Sequence, residues 1–186
     1  MPNWCYNQVV IDGPTITLRV LTGRAAANDP EKTDSFLQTL IPMPEEYLTH
    51  EGYNNGGYEW CINNWGTKWA ESSIEMSGEN FGGTGQITYS FESPWNPPRE
   101  GYDQSAQMFP ELTFIHYWDE PVMCFCGIRV VKGETEIMME EIVDEDYPNL
   151  SFDTPEEEQA YYDEVMSIKD KLMLAANDAI KAYLEK

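Results

Sequence analysis

The sequence has few basic residues, and this shortage limits its partners. Its 186 residues include 33 Asp and Glu but only 11 Lys and Arg, which gives a formal net charge of −22. Proteins that bind the nucleic-acid backbone need clustered Lys and Arg to displace counterions, and anionic membrane surfaces attract basic segments. The composition therefore argues against direct binding to nucleic acid or membrane. It favours a protein partner with a basic surface, reached by electrostatic steering.

Cysteine, histidine and long apolar runs are scarce as well. The four cysteines form no CxxC pair, and the two histidines, His50 and His116, are far apart in the chain, so no metal site is predicted. The opening residues lack the basic and apolar regions of a signal peptide. No apolar run approaches the roughly 18 residues of a membrane span. These absences predict a cytoplasmic protein with reduced thiols.

Sequence motifs of catalysis are also missing. There is no GxSxG motif, and the glycine-rich segment 82–85 lacks the Gly-Lys-Ser/Thr ending of a phosphate loop. Acidic residues are so numerous that pairs at glycosidase-like separation arise by chance. We therefore predict a protein that is not an enzyme, with no catalytic residue and no cofactor. A hydrolase that uses acidic residues is an alternative that no motif supports.

The spacing of apolar residues predicts an α+β fold. Alternation of apolar and polar residues is typical of strands. Apolar residues that recur every three or four positions, as Ile16, Val20 and Leu21 do, are typical of helices. The order strand, helix, inserted segment, strand, strand, helix, strand is that of a ferredoxin-like split βαβ sheet. The expected strands are 3–11, 68–76, 86–92 and 112–118, with extra C-terminal strands over 123–131 and 135–143, and the expected helices are 15–27, 58–65 and 102–109.

Three other segments are expected to lack regular structure. Asp12-Gly13-Pro14 is typical of a turn before a helix. Asn28-Asp29-Pro30 is expected to break that helix, and the segment from Glu45 to Gly57 resembles a loop. The last two lie within the predicted insert.

A long helix is predicted at the C-terminal end. Thr154 suits the N-cap, Pro155 the first helical position and Glu157 the closing position of a capping box. One apolar stripe then extends from Tyr161 to Tyr183 on a helix of about 30 residues. We expect the stripe to pack on the chain's own sheet; the alternative is a homodimer through this helix.

The negative charge is concentrated in one segment, 134–164, which we call the acidic block. It holds 13 acidic residues and no Lys or Arg, so it carries −13 of the net −22. Negative charges on a rigid scaffold are what a mimic of DNA phosphates requires, and a solubilising surface is the alternative. The residues predicted to bind a basic partner are Glu134, Glu136, Glu140, Glu141, Asp144, Glu145, Asp146, Glu156, Glu157 and Glu158.

Tryptophan and asparagine cluster in three segments, 1–7, 60–69 and 93–99, which hold five of the six tryptophans. Such segments form packing corners, where each indole N–H finds a partner, or shallow pockets with stacking faces. The pocket interpretation supports an alternative function, a small-molecule sponge for a nucleotide immune signal. Its ligand-binding residues would be Trp65, Lys68, Trp69, Trp95 and Arg99.

Five motifs follow one another along the chain: MPNWCYN at 1–7, LIPMPEE at 40–46, NWGTKW at 64–69, PWNPP at 94–98 and FPELTF at 109–114. In this order they resemble the YubB-type ferredoxin-like family, whose members are accessory proteins of phages and conjugative plasmids. The resemblance covers about residues 1–130 and implies the ferredoxin-like fold but no catalytic residue. It leaves the acidic block and the terminal helix outside, so we expect both to be additions particular to this chain.

These observations lead to one functional hypothesis. The chain is predicted to be a phage or plasmid accessory protein in the cytoplasm of a host cell. It would bind and inhibit a host defence or nucleic-acid-handling protein through an acidic, DNA-mimicking surface. The predicted organisation is a ferredoxin-like domain over 1–133, with the acidic strand, turn and long helix of 134–186 packed on or extending it.

Overall fold

Six strands form the sheet at the centre of the computed structural model, which describes residues 2–26, 35–81, 83–148 and 152–185. The strands alternate buried and more exposed side chains, most clearly in the third, where Ile87, Tyr89 and Phe91 are all buried. The strands are β1 (Trp4–Pro14), β2 (Ser72–Phe81), β3 (Thr84–Pro94), β4 (Thr113–Glu120), β5 (Phe125–Lys132) and β6 (Thr135–Val143).

The helices follow from local start and stop signals. The last helix begins with the predicted capping box, in which Thr154 and Glu157 exchange side-chain to backbone hydrogen bonds around Pro155. Gly66 ends the fourth helix in a left-handed conformation with φ of 83°. The helices are α1 (Thr15–Ala26), α2 (Phe36–Leu40), the single turn α3 (His50–Gly52), α4 (Tyr58–Trp65), α5 (Arg99–Met108) and α6 (Pro155–Leu184).

The sheet has the strand order β2-β3-β1-β4-β5-β6, and every neighbouring pair is antiparallel. Its first four strands, joined by α1 and α5, form the predicted ferredoxin-like split βαβ arrangement. β5 and β6 extend the sheet on the β4 side. The predicted α+β class, the extra C-terminal strands and the long C-terminal helix are therefore confirmed.

Each face of the sheet has its own hydrophobic core. The first core lies under α1, α2, α4 and α5 and includes Val9 and Ile11 of β1. The second core lies under α6 and includes Val10 of β1 together with Ile128 and Val130 of β5. Successive β1 residues enter opposite cores because side chains alternate along a strand.

The terminal helix packs on its own sheet, as expected. Tyr161, Leu172 and Ala176, all on the predicted stripe, are buried in the second core. The opposite side of the helix exposes Tyr162 and Leu174. A homodimer through α6 stays a prediction, as does the division of the chain at residue 133. No helix among the described residues is long and apolar enough to cross a membrane.

Two local expectations were wrong, for residues 12–14 and for residues 45–57. The segment Asp12-Gly13-Pro14 is not a turn, because β1 continues through it and pairs with the start of β3. In α1 the inward positions are Leu18 and Leu21, whereas Ile16 and Val20 are exposed. The segment 45–57 contains short helical turns rather than a loop. The expected break at residues 28–30 lies outside the described residues.

The anchoring of α6 can be tested with a matched pair of leucines. Leu172 is 2% exposed and Leu174 is 62% exposed on the same helix. We expect Leu172→Ala to lower the free energy of unfolding by roughly 2–5 kcal/mol, because it leaves a cavity beneath the helix. Leu174→Ala should change it by less than about 0.5 kcal/mol. Urea denaturation measures both, and equal effects would contradict the packing of α6.

Candidate functional site

Helix α6 covers only part of its sheet face. It packs on β4, β5 and β6, and the same face continues over β1, β3 and β2. There Tyr6 and Gln8 of β1 and Ser90 and Glu92 of β3 are partly or fully exposed. This arrangement leaves an open half of the sheet beside the helix.

A groove of about 370 Å³ lies between the open half of the sheet and α6. Strands β1, β2, β3 and β4 form its floor, and one side of the helix forms its wall. The residues that line it are Tyr6, Asn7, Gln8, Ser73, Glu75, Ser90, Phe91, Glu92, Tyr117, Asp119, Val165, Met166 and Lys169.

An exposed aromatic ring in this groove is flanked by two carboxylates. Tyr6 is directly opposite Glu92 of β3 on one side and Asp119 of β4 on the other. Side chains of directly paired residues project from the same sheet face. Burial raises the pKa of Tyr6, and the nearby carboxylates Glu92 and Asp119 raise it further. The Tyr6 side chain, 51% exposed, therefore lies in a negative environment.

Asp119 is held in place by tyrosines of the C-terminal segment. The Tyr147 hydroxyl donates a 2.6 Å hydrogen bond to Asp119 Oδ1 and lies 3.2 Å from the Tyr161 hydroxyl. Burial raises the pKa of Asp119, while the hydrogen bond from Tyr147 and the charge of Lys169 oppose this rise. The carboxyl group therefore has a fixed position between the sheet and α6.

A half-buried cation lies on the wall of the groove. Lys169 Nζ is 5.0 Å from the centre of the Tyr117 ring, and burial lowers the pKa of Lys169. Within the described part of the chain no carboxylate oxygen lies within 4.0 Å of this ammonium group. The Tyr117 hydroxyl is buried and has no hydrogen-bond partner among the described residues.

The groove can therefore hold a positively charged group by aromatic stacking and ion pairing. Three carboxylates, Glu75, Glu92 and Asp119, line it, against the single cation of Lys169. The described residues include no group of three or more His, Cys, Asp or Glu that could hold a metal ion.

The strand β6 divides the acidic residues predicted for partner binding between its two faces. Glu136 accepts a 2.8 Å hydrogen bond from Arg129 Nε, and Glu141 lies 3.6 Å from Arg99. Both therefore pair with cations of the chain itself. Glu140 is opposite Ile128, on the face of the second core.

The remaining acidic residues of the predicted set gather where β6 ends and α6 begins. Glu145, Asp146, Glu156, Glu157 and Glu158 are exposed. Among these, Glu157 has a structural role, because it accepts hydrogen bonds from the backbone N–H groups of residues 153 and 154 in the capping box. Glu134 is exposed in the turn before β6, and the side chain of residue 144 lies outside the described ones.

The alternative ligand-binding residues do not form one pocket. Trp65 is 2% exposed and its indole donates to the Ile41 carbonyl oxygen, so it belongs to the first core. Lys68 Nζ lies 4.5 Å from the Trp95 ring, and the Arg99 guanidinium lies 5.3 Å from the Trp118 ring.

The fifth residue of that set, Trp69, packs edge-on against Trp4 with ring centres 6.4 Å apart. It is 38% exposed. These contacts are those of packing corners, and the nucleotide-binding function stays a prediction.

The buried nucleophilic and basic side chains have structural partners. Cys5, Cys61 and Cys126 are buried, and burial raises the pKa of each thiol, which disfavours the reactive thiolate. His116 Nε2 lies 2.9 Å from Asn7 Oδ1, and burial lowers the pKa of His116 to about 3. A neutral, enclosed imidazole of this kind stabilises the core.

A buried carboxyl group lies in the first core. Glu71 accepts hydrogen bonds from the Ser35 hydroxyl and from the backbone N–H of Leu37, 3.1 Å away, and so holds the start of α2. Burial raises the pKa of Glu71 from its ordinary value of 4.5 to about 7, although these hydrogen bonds oppose the rise. Because these hydrogen bonds hold the start of α2, we assign Glu71 a structural role.

The groove residues were missed by the sequence predictions. The available signal was the alternation of apolar and polar residues along β1 and along β3. In these strands the positions between buried residues are occupied by Tyr6, Gln8, Ser90 and Glu92. That alternation identifies an exposed sheet face. It does not show that Lys169, about 50 residues beyond Asp119, lies against the same face.

Comparison with known proteins identifies a related family. A family model described as the ferredoxin-like domain in Api92-like protein matches residues 64–164. The matched span includes the whole acidic block, so the expectation that the block is an addition outside the family-like part was wrong. A crystal structure of a protein Api92 from Yersinia pseudotuberculosis is similar, with 12% sequence identity and a TM-score of 0.49 over 77% of this chain and 99% of that chain. No curated protein matches.

The raised pKa of Glu71 predicts a specific pH dependence of stability. Between pH 4.5 and about 7 the folded chain keeps the Glu71 proton while the unfolded chain has lost it. The free energy of unfolding should therefore fall as pH rises through this window. Such a rise in pKa corresponds to roughly 3 kcal/mol.

The measurement is urea denaturation of the natural chain and of Glu71→Gln at about pH 4 and about pH 8. The amide cannot ionise, so the difference between the two proteins isolates Glu71 from the other carboxylates. We expect the natural chain to lose more stability than the variant as the pH rises. Parallel stability curves for the two proteins would contradict a raised pKa.

Proposed function

This chain belongs to the family of the ferredoxin-like domain in Api92-like proteins, and on that premise we propose that it functions by binding, without catalysis. It is an accessory protein of a phage or conjugative plasmid that acts in the cytoplasm of the host cell. Its acidic surface binds and inhibits a host defence or nucleic-acid-handling protein. The setting rests on the motif resemblance to such accessory proteins, and the mode of action rests on the distribution of charge.

The observation that carries the proposal is a group of unpaired acidic residues on rigid elements. Glu140 lies on the edge strand β6, Glu145 and Asp146 follow that strand directly, and Glu156 and Glu158 lie in the first turn of α6. The described residues place no cation in an ion pair with any of them. The 3.2 Å contact between the Tyr147 and Tyr161 hydroxyls ties the strand end to the helix start.

Such a surface suits a partner that normally binds nucleic acid. A basic DNA- or RNA-binding face carries clustered Lys and Arg, and fixed carboxylates compete for it without the entropy loss of ordering a flexible acidic tail. The attraction is electrostatic, so it is screened at high ionic strength. Association should therefore weaken with added salt and with competing DNA.

The test is a charge reversal that avoids the paired carboxylates. Glu136 and Glu141 are left unchanged, because reversing them would place like charges beside Arg129 and Arg99. The variant is Glu140→Lys with Glu145→Lys and Asp146→Lys. We expect the immobilised natural chain to capture DNA-binding proteins from a bacterial lysate and to release them when a DNA duplex is added. The variant should capture far less of these proteins.

A matched control separates location from net charge. Glu46, Glu51 and Glu59 are exposed and lie in the insert, away from β6 and α6. Reversing these three residues changes the net charge by the same amount and should leave capture unchanged. Equal capture by the natural chain and the β6 variant would rule out the proposed surface.

A further inference from the structure

We propose that the groove beside α6 binds an arginine side chain of the partner, with the guanidinium group stacked on Tyr6 between Glu92 and Asp119. This inference rests on the proposed function, since it assumes a basic partner. It adds a specific pocket to a surface that is otherwise defined by charge. The pocket lies on the open half of the sheet, outside the acidic block.

The arrangement around Tyr6 is that of a cation site. An exposed ring offers its face to a cation, and the register of β1 places Glu92 on one side of Tyr6 and Asp119 on the other. Asp119 is kept in position by its 2.6 Å hydrogen bond from Tyr147. A cation above the ring would therefore meet two carboxylates on neighbouring strands.

The hydrogen-bonding groups favour arginine over lysine. A guanidinium group is planar, stacks on aromatic rings and presents five donors and no acceptor. The groove offers acceptors in several directions, from the carboxylates of Glu75, Glu92 and Asp119 and the hydroxyl of Ser90. Lysine would supply three donors from one point and would leave more of these acceptors without a partner.

Tyr117 adds a second aromatic side chain to the lining of the groove. Tyr117 lines the groove and is 5% exposed, and its hydroxyl has no hydrogen-bond partner within the described part of the chain. A buried polar group without a partner is costly. Because this oxygen is enclosed, the ring of Tyr117 is the part that lines the groove.

The chain already places one cation against the groove. Lys169 Nζ lies 5.0 Å from the Tyr117 ring centre, and although burial lowers the pKa of Lys169, the negative charge of Asp119 opposes that fall. The three carboxylates still exceed the single ammonium by two. Glu75 and Glu92, on β2 and β3, lie on the side of the groove away from α6, so a second cation is attracted there.

The test uses a defined peptide and needs no partner protein. The probe is Gly-Gly-Arg-Gly-Gly with blocked ends, titrated into ¹⁵N-labelled protein and followed by NMR. We expect saturable shifts in the amides around Tyr6, Glu92 and Asp119. The same peptide with citrulline, a neutral isostere of arginine, should give no saturable shift, and the lysine peptide should bind more weakly. Equal binding of the lysine and arginine peptides would overturn the choice of arginine.

Two variants and a control locate the site. Glu92→Gln should raise the dissociation constant of the arginine peptide about tenfold, because a charged hydrogen bond is lost. Tyr6→Leu should raise it about threefold, because the ring face is lost. Glu59→Gln, on α4 and at an exposed position, should have no effect. The proposal would be overturned if the NMR shifts were confined to β6 and the start of α6. It would also be overturned if Glu92→Gln and Glu59→Gln weakened binding of the arginine peptide equally.

The peptide titration and the lysate capture can fail separately. If the arginine peptide binds in the groove but the charge reversal on β6 leaves capture unchanged, the proposed acidic surface is wrong and the groove inference holds. If capture depends on β6 but the peptide does not bind, only the groove inference is wrong.

Discussion

The packing of α6 across one part of the sheet is the constraint on which the rest of the molecule depends. Six strands about 4.8 Å apart make a sheet roughly 24 Å wide, and a helix with its side chains is only about 10–12 Å wide. A single helix therefore covers two or three strands. Burial of Tyr161, Leu172 and Ala176 fixes α6 over the β4–β6 half, and the other half must stay open.

Strand geometry also determines which charges are free. The acidic block is one segment in sequence, but Glu136 and Glu141 point towards arginines and Glu140 lies on the opposite face. A bulge in the pairing of β6 with β5, between Glu136 and Met138, shifts the alternation and so produces this arrangement. The capping box uses Glu157 to satisfy backbone N–H groups at the start of α6. The block thus combines residues that stabilise the fold with residues that remain available at the junction of β6 and α6.

Much of the fold follows from local sequence signals, and the groove does not. The limits of α4 and β6 and the capping box of α6 agree with the predictions because caps and periodicity are local properties. The turn expected at Asp12–Pro14 is instead part of β1, because pairing with β3 overrides the local preference of Gly and Pro. The groove brings Tyr6, Asp119 and Lys169 together from distant parts of the chain, and only the tertiary packing determines that.

The acidic edge strand has a consequence for how the protein behaves at high concentration. β6 is a terminal strand of the sheet, so its outer backbone groups are available for pairing with a second copy. Two such edges brought together in antiparallel register would align Glu136, Glu140 and Glu141 of one copy with acidic residues of the other. Repulsion between these carboxylates disfavours edge-to-edge pairing, and it is lost when the carboxylates become protonated in acid.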